Sequence, residues 1–340
     1  MSKELMQFIP RQQYQYYYSR LSKEGKLVYA AMLERFMSHE SVFCIETAQK
    51  DEVWLSYRAL CRDVPEMFFV KSLNVSCIRD VGESSAKPLV MIVRPDYRFD
   101  METCHAILKK MEECARHVLD SVRGRPIVEV IKRIHDYIVC KAHYKDLGAP
   151  YSHEAVGVLL YDISVCEGMA KAFKYLADRA GIHSLVVYGT HGDNTNTSVG
   201  HAWNIVYVDY LHPYHIDVTF DNTLMDNQSS EIRYDYFLLS DDQMTDYQFE
   251  DVPKCWNDFD YYARIGHYVN GKKDFQELVR KELKLGSPLV VRVPLFRDNS
   301  DVVAELLMNV AYEALPEQQK RALRVSYNDK RMIFQFELHD

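Results

Sequence analysis

The chain has 340 residues, near-average proportions of apolar and charged residues, 24 Tyr and a formal net charge of −8. This length points to two or three packed units, and the composition excludes disordered, collagen-like and membrane-embedded classes. The negative balance, with no basic stretch standing out, argues against a nucleic-acid partner.

The opening MSKELMQFIPRQQYQYYYSR has no apolar stretch of the kind an export signal needs. No later segment reaches the ~18 consecutive apolar residues of a membrane helix. The expectation is a cytoplasmic protein without a membrane partner. Residues 21–38 carry apolar side chains at helical spacing, and VFCIE and VPEMFFVKSLNVSCI read as strands. ESSAKPLVMIVRPDY supplies another strand after a turn over Gly82 to Lys87, so residues 1–100 read as a helix and small-sheet extension. The run YQYYY suits either an interface or helix packing.

Residues 101–121 and 126–142 predict two helices around the turn RGRP. Between 150 and 222 a helix follows Cys166, and SLVVYGT, HAWNIVYVD and YHIDVTF read as strands. With the acidic SDDQMTDYQFED taken as a solvated loop, residues 101–250 form a second unit. Residues 251–340 then give helix 272–284, strand PLVVRVPLF, helix 301–314 and two strands about an ND turn, a small αβαββ sandwich. The overall class is α+β.

The eight cysteines, at 44, 61, 77, 104, 114, 140, 166 and 255, show no CxxC and no dense spacing. Neither a zinc ribbon nor a disulfide framework is expected, and most should be reduced core residues. Cys166 differs by its place in VCEGMAKAF, at the start of a helix whose buried face is Ala170, Phe173 and Ala177. Unpaired amides and the positive end of the macrodipole favour the thiolate there, the form that attacks carbonyls. Glu167 opposes this if its carboxylate turns inward, so an imidazolium partner is needed.

GHAWNIVYVDYLHPYHIDVTFD holds such a partner. A hairpin centred on Asp209 sets His201 opposite Asp217, and opposed residues project from one face of a sheet. The carboxylate then orients the ring while the other nitrogen reaches a thiol, the base and orienter of a triad. Taken alone, such a cross-strand pair is ordinary in hairpins. The same register pairs Trp203 with His215, a packing contact. HPYHID does not suggest a metal site, because His212 and His215 point to opposite faces of a strand. No Asp-rich loop has calcium-site spacing.

The ordered set VCEGMAKAFKYLADRAGI, GHAWNIV and YHIDVTFD resembles the transglutaminase-like superfamily, a papain-related fold with chain order Cys, His, Asp. IKRIHDYIVCKAHYKD and SHEAVGVLLYD extend the resemblance over roughly residues 125–225. It implies a core in which the helix bearing the nucleophile packs on an antiparallel sheet, with Cys166, His201 and Asp217 as the triad. Met169 and Phe220 depart from the family pattern without replacing a triad residue, and leave the cleft less defined than the chemistry.

The resemblance implies amide or thioester acyl chemistry on a protein or peptide, without metal or other cofactor. Hydrolysis, as in a cysteine protease or amidase, needs no second binding site. The alternatives are transglutaminase-type transfer to an amine and a non-catalytic binding module of the same fold. The backbone N–H of Cys166 is one oxyanion donor. Spacing does not choose the second among Tyr161, Asp162 and Ser164. The polar loop THGDNTNTSVG before His201 suits a cleft rim or a connector.

Overall fold

The computed structural model describes residues 5–339 except 12, 48, 79–88, 150, 193–198, 229–230 and 295–298. The Gly82 to Lys87 turn and the middle of the loop before His201 lie outside the described residues.

The N-terminal part contains α1 (Tyr16–Arg20), α2 (Lys23–Met37), β1 (Phe43–Thr47), α3 (Lys50–Asp63), β2 (Val70–Ile78) and β3 (Leu89–Tyr97), with antiparallel strand order β1-β3-β2. The Ser22 hydroxyl accepts from the Gly25 N–H and starts α2, whose apolar face buries Val28, Met32 and Phe36. Residues 64–78 are not one strand. Pro65–Met67 forms a 3-10 turn, in keeping with a ring that fixes φ and donates no ladder bond, and the strand begins at Val70. Apolar periodicity does not announce α3, where Val53, Ala59 and Leu60 are buried but Trp54 and Leu55 are exposed. The YQYYY tyrosines pack on the protein's own core: Tyr17 donates to the Val186 carbonyl at 2.6 Å, and Tyr14 stacks on His183 with centroids 4.6 Å apart.

The central part runs α4 (Met101–Asp120), α5 (Ile127–Lys141), β4 (His143–Tyr144), α6 (Ala155–Tyr161), β5 (Ile163–Ser164), α7 (Cys166–Arg179), β6 (Ser184–His191), β7 (Val199–Tyr207), β8 (Pro213–Ile216), α8 (Val218–Gln228), β9 (Phe237–Leu239) and β10 (Tyr247–Gln248). An antiparallel sheet of order β10-β6-β7-β8-β9 carries α7 on one face. Helices α4, α5, α6 and α8 contact α7 on its other sides. Every residue from Gly168 to Asp178 is therefore buried, and the expected face of Ala170, Phe173 and Ala177 is one side of a fully enclosed helix. Its internal charges are paired. Lys174 holds Asp178 at 3.0 Å and donates to the Tyr14 and Ser184 carbonyls, which offsets the cost of burying an ammonium.

The C-terminal part holds α9 (Tyr261–Arg264), α10 (Lys272–Glu282), β11 (Leu289–Arg292), α11 (Ser300–Ala314), α12 (Glu317–Lys320), β12 (Leu323–Asn328) and β13 (Ile333–Leu338). Its antiparallel sheet, order β11-β13-β12, closes over α10 and α11 on a separate core of Phe275, Val279, Val291, Ala311, Phe334 and Phe336. The N-terminal and central parts share one continuous core from Leu5 to Phe259. The fold is α+β. All eight cysteines are free thiols, but only Cys104 and Cys255 are buried, and Cys44 and Cys140 are exposed. No described helix is long and apolar enough to cross a membrane.

Candidate active site

Cys166 is the first residue of α7, so its N–H has no acceptor within the helix. The chain reaches it through a tight approach: α6 ends at Asp162 in the left-handed region (φ 62°), and β5 runs parallel to β4 with Tyr144 beside Ser164. Gly168 lets the first turn of α7 seat on this approach. A Cβ there would lie 2.1 Å from Ser164 Oγ and 2.6 Å from the Ser152 carbonyl oxygen. The Cys166 side chain is half-buried.

Glu167 does not face the thiol as an uncompensated charge. Its carboxylate takes Lys171 at 2.9 Å, the Tyr188 hydroxyl at 2.9 Å and His153 Nδ1 at 3.1 Å. Burial raises its pKa, but Lys171, Tyr188 and His153 together hold it below the ordinary carboxyl value.

His201 sits on β7, but Asp217 is not on a strand. β8 ends at Ile216, and Asp217 caps α8, its Oδ1 accepting from the Thr219 N–H at 3.0 Å and the Phe220 N–H at 3.3 Å. The reading of YHIDVTF as one strand fails because a carboxylate followed by free amides is a helix start. The hairpin register is also displaced by two residues from expectation: Ile205, not Trp203, lies opposite His215. A two-residue shift keeps every side chain on its face, so His201 and Asp217 become diagonal neighbours and still meet, Nε2 to Oδ2, at 2.6 Å.

With Nε2 turned to Asp217, Nδ1 is the nitrogen left for Cys166, whose thiol lies near enough to the ring to act on its charge. Burial favours neutral imidazole. The charge and hydrogen bond of Asp217 and the contact with Cys166 outweigh it and raise the His201 pKa from 6.5 to about 10. Burial likewise pushes Asp217 up, but His201, Tyr247 and the Phe220 N–H hold its pKa below the ordinary value.

Two tyrosines complete the surroundings, and sequence reading missed both. The 240–251 segment is not a solvated loop: Ser240, Met244, Asp246 and Tyr247 are buried, and β10 pairs with β6, setting Tyr247 beside His191. The Tyr247 hydroxyl donates to Asp217 Oδ2 at 2.8 Å. Met244, Tyr247 and Phe249 in that acidic run are the apolar signal that it packs. Tyr144, 52% exposed, lies on the Cys166 side of the site, where burial and then the nearby thiol raise its pKa. Two oxyanion donors considered from sequence are engaged elsewhere: the Asp162 N–H bonds the Gly157 carbonyl and the Ser164 hydroxyl bonds the Ser152 carbonyl at 3.0 Å. Tyr161 stacks on Tyr151. Phe220, at 4.8 Å, and Trp203, at 5.9 Å, pack their rings on His201.

The segment that carries Cys166, His201 and Asp217 matches a family model over residues 116–218, that of the Transglutaminase-like superfamily. These residues belong to that superfamily. Solved structures are similar over less than half of this chain. One is a TGase, with 14% identity and a TM-score of 0.31, covering 43% of this chain and 44% of that one. Another is a proposed cysteine protease from Cytophaga hutchinsonii, with 10% identity and a TM-score of 0.27, covering 44% of this chain and 62% of that one. The chain thus spans between two fifths and two thirds of the length of these neighbours. No curated protein matches it.

The transglutaminase-like domain and the segment that follows β9 contain a second Cys, His, Asp set. Ligand atoms of His215, Asp241 and Cys255 lie within 4.8 Å of one another. Trp203 decides what this set can do. Its indole N–H donates to His215 Nδ1 at 3.0 Å, so the ring proton sits on Nε2 and donates to Asp241 Oδ1 at 2.9 Å. That tautomer leaves no lone pair on His215 for a metal or for the Cys255 proton. Burial holds the His215 pKa below 6.5, and burial and Asp241 push the Cys255 thiol far up. These residues form a buried hydrogen-bond chain that ties β8 to the segment after β9. His212 lies apart from it, held by Asp209 at 2.7 Å in the hairpin turn.

Proposed function

We propose that the transglutaminase-like domain performs cysteine-nucleophile acyl chemistry on the amides of a protein or peptide, with hydrolysis as the reaction. The observation that carries this is the His201 imidazole held by Asp217 at 2.6 Å with the Cys166 thiol, at the start of α7, close enough to act on its charge. In the proposed path His201 Nδ1 holds the Cys166 proton while Asp217 stabilises the imidazolium. The thiolate attacks the amide carbonyl carbon and forms a C–S bond. The resulting oxyanion faces the Cys166 N–H, with the Tyr144 hydroxyl as a second donor. As the C–N bond breaks, the imidazolium protonates the leaving amine, and the product is a thioester. Water then attacks, delivers a proton to His201, and releases the acid and the thiol.

Water is favoured as acceptor because Cys166 is only half-buried and Tyr144 beside it is open to solvent. Residues 101–250 are proposed as the catalytic unit, with residues 1–100 and 251–340 as extensions.

The test is the rate of iodoacetamide labelling at each of the eight cysteines against pH, read by peptide mass spectrometry, in the parent and in His201→Ala. Selective labelling of Cys166 near pH ~6 that disappears without His201 supports the ion pair. Labelling of Cys166 no faster than the other seven refutes it and leaves the non-catalytic binding module. Amine incorporation into peptides, where hydrolysis was expected, would establish transglutaminase-type transfer instead.

A further inference from the structure

The C-terminal part reaches the proposed site through one side chain. Arg331, in the turn between β12 and β13, is 1% exposed and donates from Nη2 to Asp246 Oδ1 at 2.8 Å. Asp246 is itself buried and holds His191 at 3.2 Å through its other oxygen. The next residue is Tyr247, whose hydroxyl bonds the Asp217 oxygen that orients His201. The Arg331 guanidinium also lies over the rings of Tyr236, at 4.8 Å, and Tyr247, at 5.8 Å. An unbroken line of contacts therefore runs from the C-terminal hairpin to His201, the ring beside Cys166.

The hairpin is held in place for this by further buried polar contacts. Arg233, paired with Asp235, donates to Gln335 Oε1 at 2.6 Å, and the Asn328 amide donates to Asp235 Oδ2 at 3.1 Å. Such contacts fix orientation more strictly than apolar packing does, because any slip leaves a buried charge unpaired. β10 is only two residues long and lies at the edge of its sheet. Its ladder bonds are few, so it depends on side-chain anchors to hold Tyr247 still.

We propose that Arg331 is a positioning residue for the reaction: through Asp246 and Tyr247, the C-terminal subdomain completes the orientation of Asp217 and His201. This rests on the function proposed above. Without the guanidinium, the Asp246 carboxylate keeps only His191, the short strand loosens, and Asp217 loses the second donor that fixes its oxygen. Nη2 carries the hydrogen bond, whereas Nε and Nη1 have no partner among the described residues. A lysine keeps the positive charge facing Asp246 but is shorter and lacks the planar group that lies over Tyr236 and Tyr247, so it restores only part of the anchor.

The test measures Cys166 alkylation in the full chain, with circular dichroism as the check of folding. Arg331→Met is expected to slow Cys166 labelling about tenfold, and Arg331→Lys, which keeps the charge, to fall between Arg331→Met and the parent. In a Tyr247→Phe background, Arg331→Met should add little, since both changes break one line of contacts. A folded Arg331→Met that labels at the parent rate overturns the proposal, as does a loss that adds in full to that of Tyr247→Phe. If Arg331→Met does not fold, Asp246→Asn carries the same test from the other side of the ion pair, and parent-like labelling there overturns it equally. Absence of selective Cys166 labelling in the parent instead sinks the proposed function, and this proposal with it.

Discussion

His201 and Asp217 stand two residues out of direct cross-strand register, yet their side chains meet at 2.6 Å. The carboxylate belongs to a helix cap, with Oδ1 held by the Thr219 and Phe220 N–H groups and Oδ2 turned to the ring. This division of labour makes Asp217→Asn informative. The backbone donors keep the amide oxygen, so the NH₂ group faces His201 Nε2 and forces the ring proton onto Nδ1, where it cannot accept from Cys166. Cys166 labelling near pH ~6 should fall at least about 100-fold with the fold intact, as expected for a wrong tautomer. Parent-like labelling would mean that Asp217 only caps α8.

The second prediction concerns pH. The His201 pKa rises from 6.5 to about 10 on folding, so the folded chain holds this proton more tightly than the unfolded one. Its contribution to stability is complete below 6.5 and is lost as pH rises through about 10. The imidazole NMR signals of His201 should not titrate between about pH 6 and 8, and the stability gap between parent and His201→Gln should be widest below 6.5, narrow steadily above it and level off beyond about 10. A titration midpoint near 6.5 would show that the ring carries no persistent charge.

Gly168→Ala should damage the approach to the nucleophile. The added methyl meets Ser164 Oγ at 2.1 Å and the Ser152 carbonyl at 2.6 Å, and backbone yields less easily than a flexible side chain. The expected cost is about 1–3 kcal/mol by urea unfolding, with slower Cys166 labelling because the first turn of α7 is lifted. Unchanged stability would mean that the 152–164 segment gives way freely.

Cys255→Ala separates the two Cys, His, Asp sets. Cys255 is buried, and His215 beside it has both ring nitrogens engaged by Trp203 and Asp241. Labelling of Cys166 should stay within about twofold of the parent, with a stability loss near 1 kcal/mol from the small void. Collapse of reactivity in this variant alone would move the chemistry to the second set.

Cys166, His201 and Asp217 were proposed together from the sequence because three ordered motifs resemble one superfamily; each residue taken alone had an ordinary reading. A cysteine at a helix start and a histidine in an alternating strand leave short-range patterns, whereas Asp217 read as one more strand residue. The parity of strand side chains made the His201 and Asp217 pairing robust, since a slip of two residues does not change the face. The helix α8 was not legible, because DVTF continues the alternation of YHI until the cap is seen.

What the sequence by itself determined is the α+β class, the helix that begins at Cys166 and the order of the three proposed reactive residues, all products of patterns within a dozen positions. Only the tertiary structure decided that Tyr247 and Arg331 stand behind Asp217, that Lys171 compensates Glu167, and that Trp203 disarms His215. Those partners lie 30, 114, 4 and 12 residues from the groups they act on, and three of the four meet across separate elements. Burial makes them matter. A charge or lone pair removed from water must find its partner in space, and apart from the i, i+4 spacing that joins Glu167 to Lys171, nothing local names which one it finds.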